Sequence, residues 1–348
     1  MSFQFNVTTT TTTSGGQGDR KLVDFEALNA HVVEAAGTAA KSRSIPGVIS
    51  GIYDLGEQNL EDAEVVFTGT REDEANEIIA KADTYFKDGV DDKGKPCRLK
   101  CWPQKPVQQV AIAVDFPQVL VDKGQFFGNS NPLPLRMMLN GEFSVGPAGE
   151  KVRVVGRPYN IRETNHAAKG EKAMWAFAKN NGLHKLADAV GILDANGLFK
   201  KERIGELLGK YAQFQFRVYM KPGKKEGQTF FTEDIKLVGM VPEGVPLPEL
   251  PEGILHGVNL YGQNDPAAVK QLRVAVKNTI KRANNYEGSD LQKAFEGAEA
   301  QADKPKAESK PVAPKAPEPD ADDFGDFDSD IPFAQIGLQE GRNFLHMI

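Results

Sequence analysis

The sequence predicts a β-rich α+β fold: a small barrel with inserted and flanking helices, followed by a disordered acidic C-terminal tail. Three observations predict it. Short apolar or alternating runs bounded by Gly and Pro recur between Ile45 and Val241. Helical periodicity is confined to a few stretches among them. From Glu299 the composition shifts to Ala, Pro, Lys and Glu, and then to Asp.

Taken in order, residues 1–20 read as a flexible arm, with the homopolymer Thr8–Thr13 and no basic-then-apolar leader. Lys21–Lys41 reads as a helix, since Leu22, Phe25, Leu28, Val32 and Val33 recur at helical spacing and Gly37 is placed to end it. Ile45–Leu55 and Ala63–Thr68 read as strands, Arg71–Phe86 as an acidic helix and Lys87–Pro96 as a loop. Val107–Val121 is β, with Pro117 marking a bulge or break. Leu133–Phe143 and Val152–Tyr159 are further strands. His166–Leu193 is the longest helical stretch, divided at Asn180-Asn181-Gly182, with Trp175 and Phe177 as core residues. Ile204–Leu208 is a short helical turn ending at Gly209. Tyr211–Lys221 and Thr229–Val241 form the clearest hairpin. Asp265-Pro266 caps a basic helix running to about Tyr286, and Ser289-Asp290 starts a last one. Residues 21–296 thus form one domain, its barrel at about 45–248 and its C-terminal helices at 266–296; residues 297–348 are linker and tail.

Composition narrows the function. The chain has 348 residues and a formal net charge of −6, but the charge is segregated. Residues 151–225 carry sixteen Lys or Arg against six Asp or Glu, and residues 270–282 add five bases and no acid. Such segregation suits a polyanion partner. Two cysteines, Cys97 and Cys101, are too few for a disulfide framework. No apolar run approaches membrane-spanning length, so the expected location is the cytoplasm, that of the host cell if the chain is phage-encoded.

The tail is the most specific stretch. Asp322–Phe333 reads DDFGDFDSDIPF, and from Ala316 to Phe333 there are seven acids and no base. So acidic a segment cannot bury enough apolar surface to offset its ordering entropy. Its Asp326, Phe327, Asp328, Asp330, Ile331, Pro332 and Phe333 nonetheless retain groups that a partner's pocket can hold. The run resembles the acidic tail of bacterial and phage single-stranded DNA-binding proteins, which ends in Ile-Pro-Phe. The resemblance implies recruitment of replication, recombination and repair proteins, and competition with DNA for a basic cleft. Here Ala334–Ile348 follow the Phe that is terminal in bacterial members, so capture of a terminal carboxylate does not carry over.

Many short strands, one inserted helix and a final hairpin suggest a barrel of the oligonucleotide-binding type. Small phage-encoded proteins of that fold are similar in the Ile52–Gln58 strand end, in Leu207–Lys210 and in Pro242–Val245. On the strand from Gln213, the residues Phe214, Phe216, Val218 and Met220 share a core face, and Arg217, Tyr219 and Lys221 lie on the other. Arg153, Arg157 and Tyr159 repeat the alternation, with Arg162 beyond. Cations to follow phosphates and rings on which bases stack suit single-stranded nucleic acid. Lys210, Lys224 and Lys225 extend the basic rim, and Phe127 and Trp102 are further aromatic candidates.

Enzymatic signatures are lacking in the sequence. There is no phosphate-cradling Gly-rich loop, no Gly-x-Ser-x-Gly and no His-Glu-x-x-His. Cys97 and Cys101 supply only two zinc ligands of four, and Asp326–Gly337 lacks the Gly and Glu of a calcium loop. The expectation is a non-enzymatic phage single-stranded DNA-binding protein that needs no cofactor or metal and that forms homo-oligomers or assembles cooperatively on DNA. The alternatives are a recombination annealing mediator or nuclease-like enzyme, and a phage structural or interaction protein without a nucleic-acid role.

Overall fold

A computed structural model describes residues 24–128, 130–139, 143–145, 151–154, 158–223 and 229–302. The arm, most of the tail and the loop at 224–228 lie outside them.

The chain begins with α1 (Phe25–Ala36), started where the Asp24 carboxylate accepts from the Glu26 and Ala27 amides, both at 3.1 Å. It stops at Gly37, whose φ of +62° is the left-handed cap a glycine accepts without a Cβ clash. The long strand β1 (Arg43–Gln58) follows, then an inserted unit of β2 (Ala63–Phe67), α2 (Arg71–Ala80), β3 (Tyr85–Val90) and β4 (Pro96–Trp102). Next come β5 (Val107–Asp122), α3 (Gly124–Phe127), β6 (Pro132–Met138) and the short strands β7 (Phe143–Val145), β8 (Lys151–Val154), β9 (Tyr159–Asn160), β10 (Thr164–Asn165) and β11 (Trp175–Ala176). Helix α4 (Gly182–Ala189) and a 3-10 turn (Lys201–Leu207) lead to the hairpin of β12 (Tyr211–Pro222) and β13 (Thr229–Gly239). The chain then forms β14 (His256–Val258), α5 (Pro266–Lys270), α6 (Val274–Lys281) and α7 (Asp290–Ala302).

The main sheet has the order β13-β12-β1-β5-β6, with β14 parallel to β1 and β9 antiparallel to β5. The fold is β-rich α+β. Among the described residues no ladder joins the terminal strands β13 and β6, so the sheet is open. They approach where Glu233 of β13 and Leu133–Arg136 of β6 line a small pocket with Val32 and Arg273.

Residues Pro46 to Gly56 of β1 are buried without a break, because both faces of the strand are covered. Ile49 and Ile52 enter a core with α1, α4 and the inward residues of β5 and β12. Tyr53 and Leu55 enter a second core, built with Val258, Leu260 and the C-terminal helices. β5 does the same: Val110, Ile112, Val114 and Phe116 face the first core, Ala111 and Ala113 the second. This explains why these strands read as apolar runs and not as clean alternation. At the centre, Phe116 stacks on Phe216 with centroids 4.2 Å apart and meets Phe214 edge-on at 6.3 Å.

Several sequence expectations need correction. The Lys87–Pro96 stretch is a β-hairpin, since Asp91 accepts from the Lys93 and Lys95 amides at 2.9 and 2.8 Å and Gly94 takes φ +74° to close the turn. The acidic helix ends at Ala80, and Tyr85 and Phe86 belong to β3. His166–Leu193 is mostly not helical: Asn165 accepts from the Ala167 and Met174 amides and closes the β10–β11 hairpin. The helix starts only at Gly182, capped by Asn181. Val152–Tyr159 contributes to two strands in different sheets. The basic C-terminal helix is broken after Lys270, where Arg273 takes an extended backbone and donates to the Arg136 carbonyl at 3.1 Å.

Two buried polar groups tie the layers. The Thr38 hydroxyl donates to the Val218 carbonyl at 3.0 Å and accepts from the Val218 amide at 2.7 Å, taking the place of a neighbouring strand. Asp54, fully buried, accepts from the Gly56 amide and from Gln108 at both oxygens, each at 3.0 Å. Burial outweighs these bonds and raises its pKa above 3.8.

Thr38→Val is expected to leave two buried backbone groups unpaired and to cost about 1–3 kcal/mol in urea unfolding. For Asp54, the unfolded carboxyl ionises near 3.8 while the folded one still holds its proton. The folded state therefore binds more protons in that window, and stability falls as pH rises from 3.8 through the raised native value. Asp54→Asn is expected to abolish this slope, read as a wild-type-minus-variant unfolding free energy that declines with pH and then levels.

Candidate nucleic-acid interface

Strand β12 shows the division that alternation requires: Ala212, Phe214, Phe216 and Val218 are buried in the first core. The opposite face carries Gln215, Arg217, Tyr219 and Lys221. The hairpin register sets Lys236 opposite Gln215, Asp234 opposite Arg217, Thr232 opposite Tyr219 and Phe230 opposite Lys221. A row of two aromatic rings and three cations, with Asp234 as its acid, therefore lies along one side of the hairpin.

Arg217 organises that face. Its guanidinium carbon sits 4.2 Å from the Tyr219 ring centroid, and Nη2 donates to the Ala39 carbonyl at 2.8 Å. Its Nε and the Oε1 of Gln213 have no hydrogen-bond partner among the described residues. Gln213 donates instead to Ser44 on β1 at 2.9 Å. The Tyr219 hydroxyl is held by Asp234, and its pKa is raised, by burial first and then by that carboxylate. The ring is thus held in place by a cation at its face and an acid at its edge. Beyond it, Lys221 and Lys236 are exposed.

The other residues singled out from sequence do not gather here. Tyr159 lies on β9 beyond β5, with β1 and β5 between it and β12, half-buried, and its ring meets the bare Cα of Gly182, where a Cβ would stand 2.3 Å from it. Arg162 is exposed just beyond. Lys210 is exposed at the entrance to β12, and its carbonyl accepts from the Ile49 amide at 2.9 Å. Phe127, in α3, is half-buried against the first core. Trp102 ends β4 in the inserted sheet, half-buried opposite Ala63. Arg153 belongs to β8 by its backbone. Arg157, Lys224, Lys225 and the tail residues Asp326, Phe327, Asp328, Asp330, Ile331, Pro332 and Phe333 lie outside the described residues.

The wider basic rim is partly neutralised. Arg203 makes a two-pronged pair with Glu206 at 2.9 and 2.7 Å, and Lys201 sits 3.8 Å from Glu163. Cys97 and Cys101 are free and share one face of β4, four residues apart, a separation of about 13 Å along a strand. That is too far for a shared metal ion. Among the described residues no group of three or more His, Cys, Asp or Glu is placed to hold one, and no helix is long and apolar enough to cross a membrane.

Sequence reasoning passed over Phe230 and Lys236. The hairpin register brings both to the face, and reading it in advance requires the pairing of the two strands as well as the alternation. Comparisons with family models, with curated proteins and with solved structures each returned no match.

Replacing Asp234 by Asn removes one of the two causes that raise the Tyr219 pKa. An ultraviolet pH titration, differenced against Tyr219→Phe, is expected to place Tyr219 above the ordinary 10 in the wild type and lower in Asp234→Asn.

Proposed function

We propose that this chain is a single-stranded DNA-binding protein. More particularly, it serves phage DNA replication and recombination, coating single strands with little sequence preference. The observation that carries the reading is the outward row Arg217, Tyr219, Lys221, Phe230 and Lys236 on the β12–β13 hairpin. Cations at the spacing of alternate strand residues follow a phosphate backbone, and the rings between them offer faces to the bases. An open sheet with a long, bulged central strand and the β12–β13 hairpin along one edge is compatible with a barrel of the oligonucleotide-binding type. The acidic tail that carries Asp330-Ile331-Pro332-Phe333 recruits replication proteins, and without DNA it competes for the basic surface through opposite charge.

Anisotropy of a labelled oligo-dT tests the reading, using the full chain and one ending at Ala302, the last residue of α7. Binding is expected to be salt-sensitive and to tighten when the tail is removed. Tyr219→Ala is expected to weaken it by roughly 5- to 100-fold, the loss of one stacked base. Arg217→Ala is expected to reduce the slope of log affinity against log salt by about 0.7, one released counterion on a single strand. Absence of binding by both chains at low salt overturns the proposal.

A further inference from the structure

The sequence predicts a core position for Trp175, but the residue is 55% exposed, while the next two, Ala176 and Phe177, are fully buried. The indole stands on β11, and its hairpin with β10 is held from several sides. The His166 amide donates to the Met174 carbonyl at 2.8 Å, and the Asn165 side chain accepts from the Ala167 and Met174 amides at 3.0 and 2.9 Å. The Phe177 amide donates to the Phe199 carbonyl at 2.9 Å and fastens the strand to the first core. Trp175 is therefore presented on a rigid support, and placing a flat ring on ordered backbone lowers the entropy lost when a ligand stacks on it.

The surroundings specify the ligand. Arg162, Lys169, Lys172, Lys179 and Lys200 are exposed, and none forms an ion pair among the described residues. On the hairpin and its two flanks, residues 162–179, four cations stand against Glu171 and against Glu163, which accepts from the Lys201 amide at 3.0 Å. A large exposed ring amid uncompensated positive charge suits a base and its flanking phosphates better than it suits an apolar or basic protein segment.

We propose that Trp175 is a stacking platform for an unpaired nucleobase, with Arg162, Lys169 and Lys172 holding the adjoining phosphates. The proposal rests on the single-strand reading above and adds a second contact region, on a hairpin outside the main sheet. Trp102 is the other tryptophan of the chain, so Trp102→Phe leaves Trp175 as the sole indole emitter. Titrating that full-length variant with oligo-dT is expected to quench its emission saturably, in step with anisotropy. An oligomer of abasic phosphodiester units is expected to bind more weakly and to quench little. Trp175→Ala is expected to weaken oligo-dT binding roughly tenfold, and Trp175→Phe to restore most of it. If Trp102→Phe disturbs folding, the wild-type signal minus that of Trp175→Phe reports the same quenching. Normal oligo-dT binding without quenching, and unchanged in Trp175→Ala, overturns the stacking site and leaves the single-strand reading standing. Absence of oligo-dT binding by the wild-type chain overturns both.

Discussion

Everything in this structure depends on β1 being buried on both faces along Pro46–Gly56. A strand in that position has no water available to it, so each backbone group needs a partner within the protein. It finds them in β5 along one edge and in β12 and then β14 along the other. Two register shifts, at Ile49/Gly51 and Asp54/Gly56, bend the strand so that these partners can be served in turn. Asp54 is the buried carboxyl that holds the second bend, accepting from the Gly56 amide, and Gly56, at φ +72°, is the residue that permits it. Gly47 has a related role: a Cβ there would stand 2.8–3.0 Å from Val114, Phe214 and Phe116, so the aromatic centre can close only over a bare backbone.

The proposed interface follows from that burial. Because β12 lies between β1 and β13 and turns its phenylalanines inward, its polar residues have one remaining direction. The hairpin is long enough to line up four such positions with those of β13, and Thr38 clamps the free edge of β12 at Val218, beyond its pairing with β1. Rigidity of the face is thus supplied by the core, while its chemistry is left to residues that the core does not use.

Sequence patterning reached the strands whose burial alternates or runs unbroken: β1, β5 and the β12–β13 hairpin were placed close to their observed bounds. It failed where a side chain, and not hydrophobic periodicity, decides the backbone. Asp91 turns an apparent loop into a hairpin, and Asn165 turns an apparent helix into β10–β11. Arg273 interrupts an apparently continuous basic helix by reaching across to β6. Each is a single polar residue satisfying backbone groups, and its effect is invisible to any average over a window.

For the proposed interface the division is similar. Residue order alone puts Arg217, Tyr219 and Lys221 on one side of a strand, because alternation has a period of two whatever the surroundings. It also determined the segregation of charge and the Asp-Ile-Pro-Phe tail, which are properties of composition and order. It took the packed fold to bring Phe230 and Lys236 to that side, to seat Tyr159 and Phe127 against the core and to leave Trp175 exposed. Those outcomes depend on strand register and on which surfaces neighbouring elements cover, and both are set by contacts between residues far apart in the chain.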